Sequence, residues 1–211
     1  MPKRLALNSL IVAAIFLGPL AARPALLASP APWLAATIAA AVLLSQPRID
    51  MREAFSRSAA DGGSAIGIFA AMTSAQLAAA IEFSRSLATP TGSAFVVGAA
   101  VALAGLGLRL WAIRTLGRFF TSTVRVVDGQ RIVRSGPYRW LRHPSYTGAL
   151  LAAFGTAVAL ESRIGVLLVL GICIPAYLYR IAIEERTLIV GLGPVYAEYR
   201  KRTWSLIPGV R

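Results

Sequence analysis

The chain has 211 residues, of which 56% are apolar and only 15% charged, and its mean hydropathy is +0.65. A soluble domain of average composition carries roughly 25% charged residues. This balance excludes a soluble nucleotide-binding enzyme, a secreted disulfide scaffold and a disordered tail, and it predicts an all-α polytopic membrane protein. The net charge of +13 comes from 22 Lys+Arg against 9 Asp+Glu. One cysteine, Cys173, leaves no intramolecular disulfide, and one histidine, His143, leaves no multi-histidine metal centre.

Crossing ~30 Å of hydrocarbon takes about 20 helical residues. In chain order, the apolar runs are Leu5–Ala22, Ala25–Ser45, Gly62–Ile81, Thr91–Leu108, Ser145–Leu160 and Ile164–Tyr179. The last two are separated by Glu161, Ser162 and Arg163 and read as a tight helical hairpin. The basic start, apolar middle and small residues Ala21, Ala22 and Ala28 of the first run also fit a cleavable signal peptide. The length of that run, with a second span directly after it, favours a membrane helix. With the N-terminus inside, Arg23, Arg85 and Arg163 are the outer basic residues, and the other 19 fall inside. The positive-inside bias therefore selects six spans with both termini cytoplasmic. The basic excess is explained by topology, and no nucleic-acid partner is implied.

The first four spans hold few polar residues, among them Asn8, Ser9, Thr73, Ser74 and Gln76. Helix–helix contact accounts for these. Residues 1–90 are expected to form N-terminal transmembrane helices, and residues 91–211 a functional core. Two large inner segments, 109–144 and 180–211, flank the hairpin on one side.

In the first inner segment, Arg125–Val127 and Gln130–Val133, joined at Asp128-Gly129, predict a short β-hairpin. Ser135-Gly136-Pro137 is turn chemistry. A cluster follows, running from Tyr138, Arg139 and Trp140 to Arg142, His143, Pro144, Ser145 and Tyr146. Pro144 suits the first turn of the fifth span, whose free N–H groups then face this cluster and suit an anion.

In the tail, Glu184 and Glu185 sit just past the sixth span. A helix, a break around Gly191, Gly193 and Pro194, and a second helix ending before Pro208 are predicted. Tyr196 and Tyr199 share a face of that second helix. Singly, each feature has a plain reading. The tyrosines, with Trp140 and Trp204, fit an interfacial belt. The glutamates fit pairing with Arg180 and Arg186, and Arg200, Lys201 and Arg202 fit contact with anionic lipid headgroups. Together, the two polar blocks meet at one end of one hairpin. That placement fits a site at a membrane surface, open to water and to lipid. The dinucleotide, Walker A, nucleophile-elbow and H-E-x-x-H patterns are all absent from the sequence.

Gly136-Pro137-Tyr138, Arg142-His143-Pro144-Ser145-Tyr146-x-Gly148, Glu184-Glu185-x-x-Leu188, Gly193-x-x-Tyr196-x-x-Tyr199, Arg202 and Pro208 resemble the isoprenylcysteine carboxyl methyltransferase family. The likeness covers roughly residues 100–208. The wider superfamily includes phospholipid N-methyltransferases, and a similar C-terminal pattern occurs in sterol reductases. This chain lacks the length that the reductases use for their sites. Leu192 stands where the family often has an aromatic residue before the tail glycine.

The resemblance implies a membrane methyltransferase that uses S-adenosylmethionine, without a Rossmann domain. It implies cofactor contacts from Pro137, Tyr138, His143 and Tyr146 on the loop side, and from Glu185, Tyr196 and Tyr199 on the tail side. It also implies that Arg142, Glu185 and Arg202 matter for activity. The acceptor implied is a lipophilic molecule from the bilayer, a prenylated cysteine or a related isoprenoid. The implied location is a prokaryotic inner membrane, or the endoplasmic reticulum of a eukaryote. Two other readings stand beside this one: a phospholipid N-methyltransferase, and a non-catalytic scaffold binding anionic lipid or a partner.

Overall fold

The structure is a computed structural model, and it describes residues 2–21, 23–46, 63–86, 92–121, 124, 126 and 129–209. Among the described residues the regular structure is helical, with no strand. We label the main helices α1 (Pro2–Leu20), α2 (Pro30–Leu44), α3 (Ser64–Arg85), α4 (Ser93–Leu116), α5 (Pro144–Ala159), α6 (Arg163–Leu192) and α7 (Pro194–Arg202).

Local chemistry sets most helix ends. Ser29 caps α2, its hydroxyl accepting from the Ala31 N–H at 3.3 Å, and Pro30 occupies the first turn, where no N–H is needed. Pro144 opens α5 in the same way. Gly193, at φ +62°, separates α6 from α7. Between α5 and α6 the Ser162 hydroxyl accepts from the Gly165 N–H at 2.8 Å and donates to Glu82 Oε2 at 2.6 Å. That oxygen also accepts from the Ile164 N–H at 2.9 Å, so a carboxylate from α3 seals the start of α6. Within α6, residues Val169–Cys173 form a π turn just before Pro175, which has no N–H for the ladder.

Helix α5 is central and touches α2, α3, α4 and α6. It packs most closely on α4, antiparallel, along a seam of small residues spaced seven apart. Gly98 and Gly105 of α4 face Gly155 and Gly148 of α5. A Cβ added at Gly98 or Gly155 would lie 2.3 Å from a backbone nitrogen of the other helix, and one at Gly105 or Gly148 2.5 or 2.6 Å from one. Backbone-to-backbone approach of this kind is how helices associate in lipid, where burial of apolar surface supplies no drive. A second cluster joins Ala71 and Ala75 of α3 to Ala153 of α5 and to Val169 and Cys173 of α6. At the end of the bundle away from α7, Phe16, Leu20, Ala31, Ala79 and Phe83 close the contact of α1, α2 and α3.

Among the described residues, three helices are long and apolar enough to cross a membrane: Ser64–Arg85, Ser93–Phe119 and Arg163–Leu192. Their outer faces leave large apolar side chains uncovered, among them Val96, Val97 and Leu103 on α4 and Leu167, Leu170 and Ile172 on α6. Surface of that kind needs a lipid solvent.

Three expectations change. The helix predicted over Thr91–Leu108 continues through Arg109 to Leu116, because the seam buries Arg109. The one over Ile164–Tyr179 continues to Leu192. Of the predicted β-hairpin, Gln130–Val133 is irregular, while Arg125, Val127 and Asp128 lie outside the described residues. Gly129 does take a positive φ of 69°, but a lone hairpin with no sheet to join is marginal.

Candidate functional site

The site begins where the chain turns into α5. Gly136, at φ +55°, starts a 3₁₀ turn over Gly136–Arg139, and a Cβ there would lie 2.9 Å from Thr115 Oγ1. Glycine is required twice at this position, by conformation and by space. Residues 140–143 then run parallel to the segment that follows α7. The Trp204 N–H donates to the Trp140 carbonyl at 3.0 Å, the Arg142 N–H to the Trp204 carbonyl at 2.8 Å, and the His143 N–H to the Ser205 carbonyl at 3.2 Å. Thr147 adds a hydroxyl bond to the Leu206 carbonyl at 2.6 Å. The two polar blocks seen in the sequence are thus laced together by main-chain bonds.

Arg142 fastens them. Its side chain is 1% exposed; Nε donates to Glu185 Oε1 at 2.6 Å, and Nη1 donates to the carbonyls of Arg200, at 3.0 Å, and of Thr203. Glu185 also accepts from Arg200 Nε at 2.9 Å through Oε2, and its Oε1 lies 3.2 Å from His143 Nε2. A buried guanidinium facing a buried carboxylate is costly unless its remaining donors are used. Here they are used on the carbonyls of the tail. The Tyr199 hydroxyl donates to the Tyr138 carbonyl at 2.7 Å, closing the same junction.

Above this junction lies a cleft of about 850 Å³, open in part to solvent. Six of the residues singled out in the sequence border it: Tyr138, Arg142, His143, Tyr146, Tyr196 and Tyr199. Three do not. Pro137 is buried beneath the 3₁₀ turn, and Glu185 stands behind Arg142 and His143, holding both. Arg202 points away on α7, exposed, with Nε 2.9 Å from Glu198 Oε1 one turn earlier.

Burial holds the phenols neutral: Tyr199 is pushed up to about 12, and Tyr138 and Tyr196 are raised by burial and further by the nearby Glu184 and Glu185 charges. The tyrosines therefore act as hydrogen-bond donors and as flat apolar walls.

The cleft also uses residues that sequence reading set aside. Glu184 borders it and accepts from the Tyr146 hydroxyl at 2.7 Å, while its Oε2 lies 3.8 Å from His143 Nδ1. Arg180 donates from Nε to the same Tyr146 hydroxyl at 3.2 Å. The His143 and Tyr146 rings stack in parallel, 5.6 Å apart. Leu116, Phe119, Phe120, Leu188 and Leu192 give the cleft an apolar side.

Arg109 lies just behind this wall, 1% exposed. Its Nε donates to Ser45 Oγ at 2.9 Å, and its Nη1 to the Ser145 carbonyl at 3.1 Å. Among the described residues its Nη2 has no hydrogen-bond partner. The signal for Arg109 was present in the spacing, since it continues the small-residue series Gly98, Ala102 and Gly105. Glu184 gave no signal that separated it from Glu185. Among the described residues no cluster of His, Cys, Asp and Glu could hold a metal ion.

Residues 97–190 match the model of the isoprenylcysteine carboxyl methyltransferase family. The protein-S-isoprenylcysteine O-methyltransferase of Saccharomyces cerevisiae is 31% identical over 128 residues, 60% of this chain and 53% of the relative. That of Dictyostelium discoideum is 34% identical over 122 residues, 57% of this chain and 52% of the relative. The aligned stretches span little more than half the length of these relatives. A solved structure of the eukaryotic intramembrane Ras methyltransferase, an isoprenylcysteine carboxyl methyltransferase, covers 85% of this chain and 63% of its own, with a TM-score of 0.51 and 24% identity. That likeness concerns the fold. Over residues 97–190, this chain is similar to the isoprenylcysteine carboxyl methyltransferase family.

Proposed function

We propose that the chain is an integral membrane methyltransferase that uses S-adenosylmethionine to methylate the C-terminal carboxylate of a prenylated cysteine. The observation that carries this reading is Arg109: a buried cation beside an aromatic cleft, with one guanidinium nitrogen that has no hydrogen-bond partner among the described residues. A buried charge without a counter-ion is expensive, and an anionic acceptor is the group that would relieve it. Six spans, with α1–α6 crossing and both termini inside, put the cleft on the face that carries most basic residues. That is the cytosolic face by the positive-inside bias.

The residues present suit the cofactor. The cleft sets a few converging polar groups beside apolar and aromatic walls, the usual make-up of a small-molecule site. Phe119, Phe120, Leu188 and Tyr196 offer flat or apolar surface for an adenine, and Glu184 offers a carboxylate for an ammonium. When bound, S-adenosylmethionine supplies a methyl group already activated by its sulfonium, so the protein contributes chiefly alignment. A carboxylate acceptor is ionised at neutral pH and needs no general base. Arg109, buried behind the aromatic side of the cleft, supplies the positive charge that draws the carboxylate, and with Nε on Ser45 and Nη1 on the Ser145 carbonyl it has Nη2 left to bond one oxygen. His143, Tyr146 and Glu184 form a rigid, internally bonded wall that keeps the reacting pair in register. Arg142 and Glu185 do not touch the reactants; they keep the tail folded over the cleft and so exclude water.

Calorimetry of the detergent-solubilised protein with S-adenosylhomocysteine tests the cofactor half of this reading. Saturable binding that weakens at least tenfold in Tyr196→Ala and Glu184→Gln is expected. No binding at millimolar ligand contradicts it.

A further inference from the structure

The family match starts at residue 97, and the helices before it contain none of the motif residues. Two buried arginines of the site nevertheless end on hydroxyls supplied by those helices. Arg109 Nε donates to Ser45 Oγ at 2.9 Å, across 64 residues of sequence. Arg180 Nη1 donates to Ser64 Oγ at 3.0 Å, across 116 residues. Ser45 follows the last turn of α2, and Ser64 is the first residue of α3, so the two lie on either side of residues 47–62.

From these contacts we infer that Ser45 and Ser64 are positioning residues, the first for Arg109 behind the cleft wall and the second for Arg180 on the cleft itself, and that α2 and α3 are thereby part of the catalytic unit. The inference rests on the function proposed above.

The Ser45 hydroxyl donates its only proton to the Val42 carbonyl at 2.7 Å, so its oxygen faces Arg109 as an acceptor. With Nε held there and Nη1 on the Ser145 carbonyl, the direction of Nη2, which has no hydrogen-bond partner among the described residues, is fixed from the end of α2 and the start of α5. Ser64 is buried. It holds one end of Arg180, whose Nε reaches the Tyr146 hydroxyl at 3.2 Å, and that hydroxyl in turn donates to Glu184 at 2.7 Å. The series Ser64, Arg180, Tyr146, Glu184 runs from the start of α3 into the cleft. Each arginine has a long flexible side chain, and one fixed acceptor selects among its rotamers. A lost hydroxyl therefore shows as misalignment of a ligand contact rather than as loss of the fold.

The test uses the full-length protein in detergent, with S-adenosylmethionine and a farnesylated cysteine as substrates and S-adenosylhomocysteine as the binding probe. Ser45→Ala is expected to raise KM for the farnesylated cysteine about tenfold, the size of a hydrogen bond to a charged group, while changing kcat less. In an Arg109→Ala background the same change is expected to add nothing, because the partner is gone. Ser64→Ala is expected to weaken S-adenosylhomocysteine binding by about tenfold, through Arg180 and Tyr146. Ser45→Thr and Ser64→Thr keep the hydroxyl and should recover most of each loss. Ser84→Ala, which removes a hydroxyl that donates to the Ile81 carbonyl of its own helix, is the control.

Wild-type constants in both alanine variants of an active enzyme overturn the inference alone. Losses that follow the thermal midpoint, with no KM or affinity change and no threonine rescue, also overturn it and leave the serines a structural role. A wild-type protein that neither binds S-adenosylhomocysteine nor turns over overturns the proposed function, and this inference with it.

Discussion

Replacing Glu185 by glutamine removes one negative charge and no volume. The carboxylate lies between Arg142 Nε at 2.6 Å, His143 Nε2 at 3.2 Å and Arg200 Nε at 2.9 Å, and the Arg142 side chain is 1% exposed. Breaking a buried pair outright costs about 3–5 kcal/mol, because the remaining charge is left without a partner. The amide oxygen of glutamine still accepts one hydrogen bond, and Arg142 retains the Arg200 and Thr203 carbonyls. The expected cost is therefore about 2–3 kcal/mol, or roughly 30- to 150-fold in the population of the docked tail. Hydrogen exchange reads this directly. The amides of Arg142, His143 and Trp204, which bond across the junction, should lose protection by that factor. Amides along the α4–α5 seam should change little, since the bundle opens separately from the tail. S-adenosylhomocysteine affinity should fall in parallel. Unchanged protection at Arg142 and Trp204 in Glu185→Gln would show that the ion pair does not hold the tail, and the role given to Glu185 would be wrong.

Further outcomes follow from other contacts. Arg202→Ala should leave methyl transfer within about twofold, because an exposed i,i+4 pair with Glu198 contributes at most about 0.5 kcal/mol; a loss of tenfold or more in kcat/KM would return Arg202 to the site. Gly155→Ala should lower the thermal midpoint and the yield of folded protein, since the added Cβ meets the Ala102 nitrogen at 2.3 Å and overpacking costs about 1–3 kcal/mol; an unchanged midpoint would contradict the seam. Tyr199→Phe should cost about 1 kcal/mol through loss of the bond to the Tyr138 carbonyl, measured by thermal unfolding in detergent. Its alkaline behaviour has a definite sign. The phenol titrates near 10 in an unfolded chain and is pushed up to about 12 here, so its contribution is present below pH 10 and lost as pH rises to 12. Tyr199→Phe should flatten part of that alkaline decline, and an identical slope in the variant would count against the burial of this hydroxyl.

Much of the architecture was legible where local chemistry decides it. Pro144 marks the start of α5, Gly193 marks the break before α7, and the three residues 161–163 mark the hairpin turn. The meeting of the two polar blocks was legible from their common position at one end of that hairpin. Arg109 was passed over, although it continues the spacing of Gly98, Ala102 and Gly105, because a charge next to an apolar run reads as the end of a span. Its acceptor Ser45 is 64 residues away and can be found only in three dimensions. Nor could sequence decide which arginine turns inward. Arg142 and Arg202 both sit in polar surroundings, and the main-chain pairing of residues 140–143 with the end of the tail buries the first and leaves the second on the surface. The second arm of the predicted hairpin, Gln130–Val133, is irregular for a related reason: turn chemistry at Gly129 is local, but a strand needs a paired neighbour.

The most direct test of the central claim is to identify the methylated product. The purified protein, in detergent or in vesicles, is given S-adenosylmethionine carrying a labelled methyl group, with a farnesylated cysteine and phosphatidylethanolamine present together. The account predicts label in the farnesylated cysteine, released as methanol by mild alkali as a methyl ester requires, and strongly reduced in Arg109→Ala. Alkali-stable label in the phosphatidylethanolamine headgroup, or no label in either acceptor from protein that binds S-adenosylhomocysteine, would contradict it.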